Sequence, residues 1–492
     1  MASVIDFLHG IAQHLPEVKS PEVPPSTRDR LIWTTVALVL FFIMYHVTAL
    51  GVQEPQGGID FLQTVTASRI GSLLTTGIGP IVLASIFLQL FVGAGLLNLN
   101  LQDKNDRQKF HEVQKILAMV LAIGEAIIFT IGPLSPALIP LFPGLGEGYV
   151  TATAGGAAVP IAQAPITMAL VVLQIALGSV ILLYLDEIVS KYGIGSGISL
   201  FIAAGVSLAI VGGAIGLITS TGGVIDVLAG GGAEALPNAL IILLPLIFTI
   251  LVFLVTVYAE GMKVEIPIAY QRISGFQRSL PLKFFYVSNI PVIFAGALLV
   301  NVQLFGGTLL GGLNFHPLAF VDPATGVVRD GLLYFITNPS QFISQPGQIF
   351  GYWNFILNSA TPIFSIPEWI HAFTYIAFLS FVSILFGLFW VETSNMDAKS
   401  VAKQLTGAGM VMPGFRTDPR MLETILAKHI FPLTVLGSFS VGLLAGVADL
   451  TGALGGGTGI LLTVGILYRM YEQMEQMQMF EMYPMLGQLV GK

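Results

Sequence analysis

The segment Gln63–Leu97, QTVTASRIGSLLTTGIGPIVLASIFLQLFVGAGLL, is apolar enough to enter a bilayer. It is nevertheless broken by Gly71, Gly77, Gly79 and Pro80, and it carries Arg69. A lipid-facing helix has no use for such residues. Glycine and proline free backbone groups that hydrocarbon cannot satisfy, so the segment has to be buried in protein or line an aqueous cavity. An arginine at membrane depth points to a functional role. The stretch therefore reads as two pieces: a short helix before Gly71 that does not span, and a spanning helix from near Ile78. The first is placed to act as a stopper, the second as one wall of a pore.

The rest of the chain has the same character. Its 492 residues are 54% apolar and 10% charged, with a mean hydropathy of +0.83. A soluble domain carries about 25% charged residues, so this is the composition of an integral membrane protein. Several apolar runs approach the roughly 20 residues that a spanning helix needs. Met1–Pro25 mixes Asp6, Glu17, Lys19 and Glu22 with apolar residues, so no cleaved signal is expected there. Cysteine is absent, which removes disulfides, thiol catalysis and thiolate metal sites. The histidines (His9, His14, His46, His111, His316, His371, His429) are scattered and form no HExxH pair, so no metal site, cofactor or catalytic residue is expected.

In chain order, residues 3–15 place Val4, Phe7, Leu8, Ile11 and Leu15 on one face, the pattern of an amphipathic helix on a membrane surface. A linker with Pro21, Pro24 and Pro25 leads to a first span, Leu31–Leu50. After the broken second segment, Leu101–Lys115 reads as a charged loop. Further spans are expected near Ile116–Ile131, Ile166–Leu185, Gly197–Leu217, Leu240–Tyr258, Phe284–Val302, His371–Trp390, Ile430–Ala448 and Gly455–Tyr468. Loops rich in Gly and Pro (Pro133–Pro165, Gly222–Pro237) and a large one (Phe305–Trp369) separate them. Trp353 and Trp369 suit an interface belt. A Met-rich tail ends the chain.

Ten spans return both termini to one side. The Gly222–Pro237 linker divides the chain into halves, 1–221 and 222–492, of five spans each. Five is odd, so any likeness between the halves must be inverted across the membrane. No residue-level repeat is evident, and this expectation rests on span counting. On this topology the side holding the termini carries nearly all Lys and Arg, and the other side keeps only Arg69 and Arg329. The positive-inside rule then puts both termini in the cytoplasm. The opposite side carries acids such as Glu54, Glu147, Asp226, Glu368 and Asp449. The net charge of −7 fits either a high-salt habitat or ordinary solvation of those loops.

Individual motifs say less. LGGGTG (454–459) has no GK[ST] after it and opens an apolar span, so it reads as helix packing, not a phosphate loop. Asp186 and Glu187 read as a solvated helix end. Glu125 could face a watery interior, pair with Arg69, or be a buried hydrogen-bonded acid. Ile78/Val82 and Ile198/Ile202 share a helical face at i and i+4, a spacing common to every membrane helix. The loops EGMKVEIPIAYQRISGFQRSLPLK (260–283) and KSVAKQLTGAGMVMPGFRTDPR (399–420) are long and basic. They serve as topology signals and also suit docking to an acidic partner such as RNA phosphate.

Over essentially its whole length the chain resembles the SecY family, the central subunit of the protein-conducting translocon, in its archaeal type. The most specific stretches are TASRIGSLLTTGIGPIV, YLDEIVSKYGIGSGISLFIAAGVS, YAEGMKVEIPIAYQRI, YVSNIPVI, FWVET and GALGGGTGILLTVGILYRMYEQ. The resemblance implies an all-α polytopic protein, with ten transmembrane helices in two inverted five-helix halves around a central hourglass pore. It implies a plug made of Asp60, Phe61, Leu62, Gln63, Thr64, Val65, Thr66, Ala67, Ser68, Arg69 and Ile70. It also implies a pore ring of Ile78, Val82, Ile198, Ile202, Ile293 and Leu462. A lateral gate between the second and seventh spans would include Gln89 and Asn301, and a ribosome-docking surface would include Arg272 and Arg416. The implied partners are small gamma (SecE-type) and beta subunits, the ribosome, nascent secretory and membrane polypeptides, and membrane lipid.

Physical reasoning runs the same way. A channel for chains of any sequence needs a deformable apolar collar that closes by dewetting. Ile and Val offer no hydrogen bonds and are stiff at χ1. The expected function is therefore a protein-conducting channel in the cell membrane, without enzymatic activity, that translocates secretory polypeptides and releases apolar segments sideways. The alternative is a secondary transporter with inverted halves. Against it, Arg69 and Glu125 are the only clear ionisable candidates within the membrane, and ion-coupled transporters usually place several at the midplane.

Overall fold

The computed structural model describes residues 10, 15–23, 25–53, 63, 66–93, 95–97, 99, 103–132, 134–154, 157–231, 235–270, 277–306, 320–321, 328–339, 349–361, 365–407, 410–411 and 419–482. Fourteen helices are described. They are α1 (Thr27–His46), α2 (Gly79–Gly93), α3 (Lys104–Ile131), α4 (Pro165–Tyr192), α5 (Gly197–Thr219), α6 (Val224–Gly230) and α7 (Ala235–Ile242). The chain continues with α8 (Leu244–Gly261), α9 (Ile290–Phe305), α10 (Ile349–Asn358), α11 (Glu368–Thr393), α12 (Ala398–Gly407), α13 (Pro419–Leu450) and α14 (Gly457–Met482).

Among the described residues, seven helical segments are long and apolar enough to cross a membrane: those built on α1, α3, α4, α5, α7–α8, α11 and α13. The shorter apolar helices α2 and α9, and then α14, complete the ten expected crossings. The sixth crossing is jointed: α7 and α8 meet at Leu243, where Pro245 opens the second helix. α1 starts earlier than hydropathy places it, because Ser26 caps it by accepting from the Asp29 N–H (3.2 Å).

Four expectations are corrected. Residues 104–115, read as a charged loop, form the first turns of α3. Hydropathy measures fit to hydrocarbon, and a helix can run on into the aqueous layer once its side chains are charged. The Met-rich tail continues α14 to Met482 for the same reason. The Gly222–Pro237 linker is not wholly irregular, since it contains α6. The Pro133–Pro165 loop folds into an antiparallel hairpin, β1 (Gly148–Ala154) with β2 (Ala157–Gln163).

The two basic loops are joined. β3 (Lys263–Tyr270) pairs antiparallel with β4 (Gln277–Lys283), a second small hairpin pairs β5 (Phe320–Val321) with β6 (Val328–Asp330), and β7 (Met410–Val411) adds to the free edge of β3. The sheet order β4-β3-β7 thus ties the loop after α8 to the loop after α12. Beneath it, Ile266, Leu282, Leu422, Leu426 and Ile430 form an apolar cluster of their own.

A central core takes side chains from α1, α2, α4, α5, α9, α11, α13 and α14. The outward faces of α1, α4, α8 and α13 expose Val39, Leu173, Leu254 and Phe431, as lipid-facing helices should.

Candidate functional site: a closed neck between short helices

Two helices are too short for their task. At 1.5 Å per residue, α2 (15 residues) and α9 (16 residues) are about 22–24 Å long, against roughly 30 Å of hydrocarbon. A pair of shortened spans in corresponding places of two halves is a pointer to a transport site. They are the second and seventh spans. Each has proline as its second residue, Pro80 and Pro291, where the missing N–H costs nothing. Two residues on stand Val82 and Ile293, both expected in the ring.

The depth that α2 leaves open is filled by residues 66–78, folded inward as buried turns. The Ile78 N–H donates to the Thr66 carbonyl (2.8 Å) and the Arg69 N–H to the Leu74 carbonyl (3.3 Å), so the segment doubles back on the start of α2. Gly77 makes this possible: its φ is +54°, and a Cβ there would lie 2.1 Å from the Thr66 oxygen. Ala67, fully buried at φ +49°, carries strain of about 1–2 kcal/mol. Hydroxyls satisfy the inward turns: Thr75 Oγ1 accepts from the Gly71 N–H (3.1 Å), and Thr76 and Ser179 bond side chain to side chain. Of the expected plug, Gln63 and Thr66 through Ile70 fall in this arrangement. Asp60, Phe61, Leu62, Thr64 and Val65 lie outside the described residues, as does most of the expected surface helix at 3–15.

Ile78, Val82, Ile202, Ile293 and Leu462 are all buried in the central core, and Ile198 packs at its edge. Gln89 and Asn301, on α2 and α9, are also buried, and each bonds only within its own helix. Gln89 Nε2 donates to Ser85 Oγ (3.1 Å), and Asn301 Nδ2 donates to the Ala297 carbonyl (2.9 Å). Gln89 Oε1 and Asn301 Oδ1 have no partner among the described residues. A buried acceptor left bare costs about 1–3 kcal/mol, so the closed contact between these helices carries a built-in penalty. Glu125 is likewise buried, with Oε2 against Gly79 at the start of α2 and Oε1 without a described partner.

A repeat that sequence reading missed appears once geometry is added. Gly195 and Gly455 both adopt left-handed φ, +76° and +74°. Two residues later Gly197 and Gly457 open α5 and α14, each against the backbone of the preceding span. At the same spacing of 260, Ile202 matches Leu462 and Gly205 matches Gly465. Few identities survive beyond the glycines, so only backbone conformation exposes the register.

The solvated reading of the acids needs correction. Asp186, read as part of a solvated helix end, accepts from the Ile198 N–H at 2.8 Å. Of the acids assigned to the outer side, Glu147, Glu368 and Asp449 are buried, and Asp449 accepts from Thr458 and Tyr375. Glu187 does sit at a charged helix end, paired with Lys115 (3.2 Å). Arg272 and Arg416 lie outside the described residues; in sequence Arg272 falls between β3 and β4, and Arg416 follows β7.

The family model for SecY matches residues 72–471. The protein translocase subunit SecY of Methanocaldococcus jannaschii is 41% identical, over 98% of this chain and 99% of its own length. Two solved structures overlay closely. One is a SecY translocation channel described for a plug domain that stabilises its closed state and maintains a membrane seal, with a TM-score of 0.75 and 39% identity over 96% of this chain and 98% of that one. The other is Sec61 in the canine ribosome-channel complex from the endoplasmic reticulum, with a TM-score of 0.74 and 40% identity over the same shares.

Proposed function

The chain belongs to the SecY family and is a protein-conducting channel of the membrane; we propose that it seals by an apolar ring of Ile78, Val82, Ile198, Ile202, Ile293 and Leu462. In this reading residues 60–70 plug the ring from outside, and α2 and α9 part at Gln89 and Asn301 to release segments into lipid. The observation that carries it is the pair of shortened, proline-started helices, which bring Val82 and Ile293, at matching positions, into one apolar core. A neck without hydrogen-bonding groups excludes ions because water inside it has no partners. The plug described for the similar translocation channel supports the role given to residues 60–70.

Asparagine at both Ile198 and Ile293 supplies those partners. The expected result is ion conductance through the resting channel in planar bilayers, increased further when residues 60–70 are deleted. A folded double variant that stays as ion-tight as the parent, even without the plug, removes the ring.

Both termini are assigned to the cytoplasm, and the halves to residues 1–221 and 222–492, on the charge asymmetry and the span count. Cysteine replacing Gln277 should then react from the cytoplasmic side, and cysteine replacing Thr325 from outside. Partners on this reading are the ribosome, small gamma and beta subunits of the translocon, and the polypeptides in transit. The ribosome complex of canine Sec61 supports the first, with Arg272 and Arg416 assigned to docking because the sheet joins their two loops.

A further inference from the structure

α5 and α14 begin without help from their own ends. Ser196, the N-cap of α5, is a residue type well suited to capping, yet its side chain makes no cap hydrogen bond. The acceptor comes from the previous span: Asp186 Oδ1 takes the Ile198 N–H at 2.8 Å. At the start of α14 the acceptor is again an aspartate of the span before. Asp449 Oδ1 takes the Thr458 N–H at 2.9 Å, and its Oδ2 takes the hydroxyls of Thr458 (2.7 Å) and Tyr375 (2.8 Å). The closeness is enforced by glycine. A Cβ at Gly197 would stand 2.5 Å from the Asp186 Cα, and one at Gly457 would stand 2.4 Å from the Asp449 N. Before each helix start comes a left-handed glycine, Gly195 or Gly455. Span 4 thus caps span 5 in the first half, and span 9 caps span 10 in the second.

We propose that Asp186 and Asp449, which stand eleven and eight residues before Gly197 and Gly457, do the same job in the two halves: each caps the next helix and fixes the axial position of α5 or α14, and with it the height at which Ile198, Ile202 and Leu462 meet. This rests on the ring reading above. The ring residues lie within the first two turns of their helices, the turns a cap controls: Ile198 and Ile202 follow Gly197 by one and five residues, and Leu462 follows Gly457 by five. Without the carboxylate, the first N–H groups lose their acceptor and the first turn frays. The aliphatic side chains then lose their common level. The aspartates are positioning residues, acting on the seal through the helices they start.

The test uses the full chain with three readouts: ion conductance in planar bilayers, amide hydrogen exchange over 197–200 and 457–460, and thermal melting. Asp186→Ala and Asp449→Ala should speed exchange locally and raise resting conductance about tenfold, by loss of one cap. Asp186→Asn and Asp449→Asn keep an acceptor oxygen and should stay tight. Tyr375→Phe removes one bond to Asp449 but leaves the Thr458 N–H bond. It should lower the melting temperature without leak, which a merely structural role for Asp449 would not separate. Asp186 is only half-buried, so its alanine variant remains measurable should the Asp449 variant not fold.

Faster exchange with no leak, while the Ile198/Ile293 asparagine variant does leak, overturns the inference and leaves the ring standing. Leak from Tyr375→Phe equal to that from Asp449→Ala overturns it as well. If the asparagine variant itself is tight, the ring reading has failed, and the seal function of the caps fails with it even where exchange confirms the caps themselves.

Discussion

The two proposed halves share backbone devices but use their side chains differently. Four of the six proposed ring residues, Ile78, Val82, Ile198 and Ile202, come from the first half, and only Ile293 and Leu462 come from the second. The reason lies in the positions that correspond. Ile78 stands two residues before Pro80; the residue two before Pro291 is Asn289. Ile198 follows Gly197; the residue after Gly457 is Thr458. Asn289 Nδ2 donates to the Leu461 carbonyl (3.0 Å), which ties α9 to α14 beside Leu462. Thr458 gives its hydroxyl to Asp449. At these positions the second half therefore uses polar side chains to tie α14 to α9 and α13, whereas the first half supplies aliphatics to the proposed neck. Helix α9 is hydrogen-bonded to its own half, while its contact with α2 relies on Gln89 and Asn301 side chains that bond only within their own helices. Among the described residues no hydrogen bond joins α2 to α9, so a crack that opens between them breaks none.

The shared part of this comparison is the most sensitive to change. Gly197→Ala and Gly457→Ala each drive a Cβ into the backbone of the preceding span, at 2.5 Å and 2.2 Å from the nearest atom. Backbone cannot swing aside as a side chain can. Each should cost about 3 kcal/mol or more, read as loss of folded protein or a large fall in melting temperature. An alanine tolerated at one site but not the other would break the correspondence.

The next pair down should show the difference between the halves. Gly205 and Gly465 correspond, but a Cβ on Gly205 would meet Ala67 at an ordinary 3.5 Å. A Cβ on Gly465 would fall 1.8 Å from Asn289 Nδ2 and 2.6 Å from Glu260 Oε1. Gly205→Ala should be neutral or stabilising by up to about 1 kcal/mol, from helix propensity. Gly465→Ala should cost about 1–3 kcal/mol. Equal thermal shifts would mean that the two environments are not as distinct as the geometry makes them.

At the proposed gate the sign reverses. Gln89→Leu and Asn301→Leu each replace a buried, bare acceptor with an apolar side chain of similar size. Each should stabilise the closed protein by about 1 kcal/mol, raise the melting temperature and slow lateral release of a moderately apolar segment in an insertion assay. Destabilisation instead would show that these oxygens have partners in the closed state.

Much of this was legible in advance. The Gly and Pro interruptions around Gly71–Pro80 disclosed a folded, non-spanning piece before any coordinate, because hydrocarbon tolerates irregular backbone only where protein covers it. The ten crossings followed from hydropathy. What stayed hidden depended on contacts remote in sequence: Asp186 with the start of α5, Asp449 with Tyr375, and β3 with β7. Hydropathy could not distinguish a capping aspartate from a solvated one, nor a charged helix turn from a loop in residues 104–115.

A smaller, local effect belongs to the first half alone. Glu147 lies before α4, and burial pushes its carboxyl up. Hydrogen bonds from the Thr167 side chain and N–H, and from the Phe142 N–H, outweigh this and hold it below the usual carboxylate range. A carboxyl depressed in the folded state contributes stability that is fully present above the unfolded value of about 4.5. That contribution is lost as pH falls through the lower folded value. Protection from hydrogen exchange at the start of α4, relative to the intrinsic rate at each pH, should therefore fall on acidification, and Glu147→Gln should flatten that dependence. Unchanged pH dependence in the glutamine variant would assign the acid sensitivity elsewhere.

The smallest difference is at the helix ends that carry the charged clusters. In the first half Glu187 is a hub: Lys115 Nζ approaches it at 3.2 Å, Lys191 at 3.8 Å, and the Val18 N–H donates to it at 3.4 Å. Lys115 also donates to the Pro16 carbonyl (2.9 Å), Lys191 pairs with Glu17 (3.1 Å), and the Tyr192 hydroxyl donates to the Lys19 carbonyl (2.7 Å). Residues 16–19 are thereby strapped across α3 at Lys115 and the end of α4. Among the described residues of the second half, the comparable helix-end pair is Lys283 with Glu472 at 2.7 Å, both about a third exposed, with Lys283 over the Tyr468 ring at 4.7 Å. An exposed pair is worth roughly 0.2–1 kcal/mol and is screened by salt. Glu472→Gln should therefore cost a few tenths of a kcal/mol, and 1 M NaCl should erase the difference from the parent. Glu187→Gln removes two lysine contacts at a less exposed site and holds the strap as well, so its cost should approach about 1 kcal/mol and persist in part at high salt. Protease cutting within 16–23 gives a second reading, because only the Glu187 variant should free that segment. Equal melting shifts and equal salt sensitivity for the two variants would mean that the strap adds nothing to an ordinary surface pair.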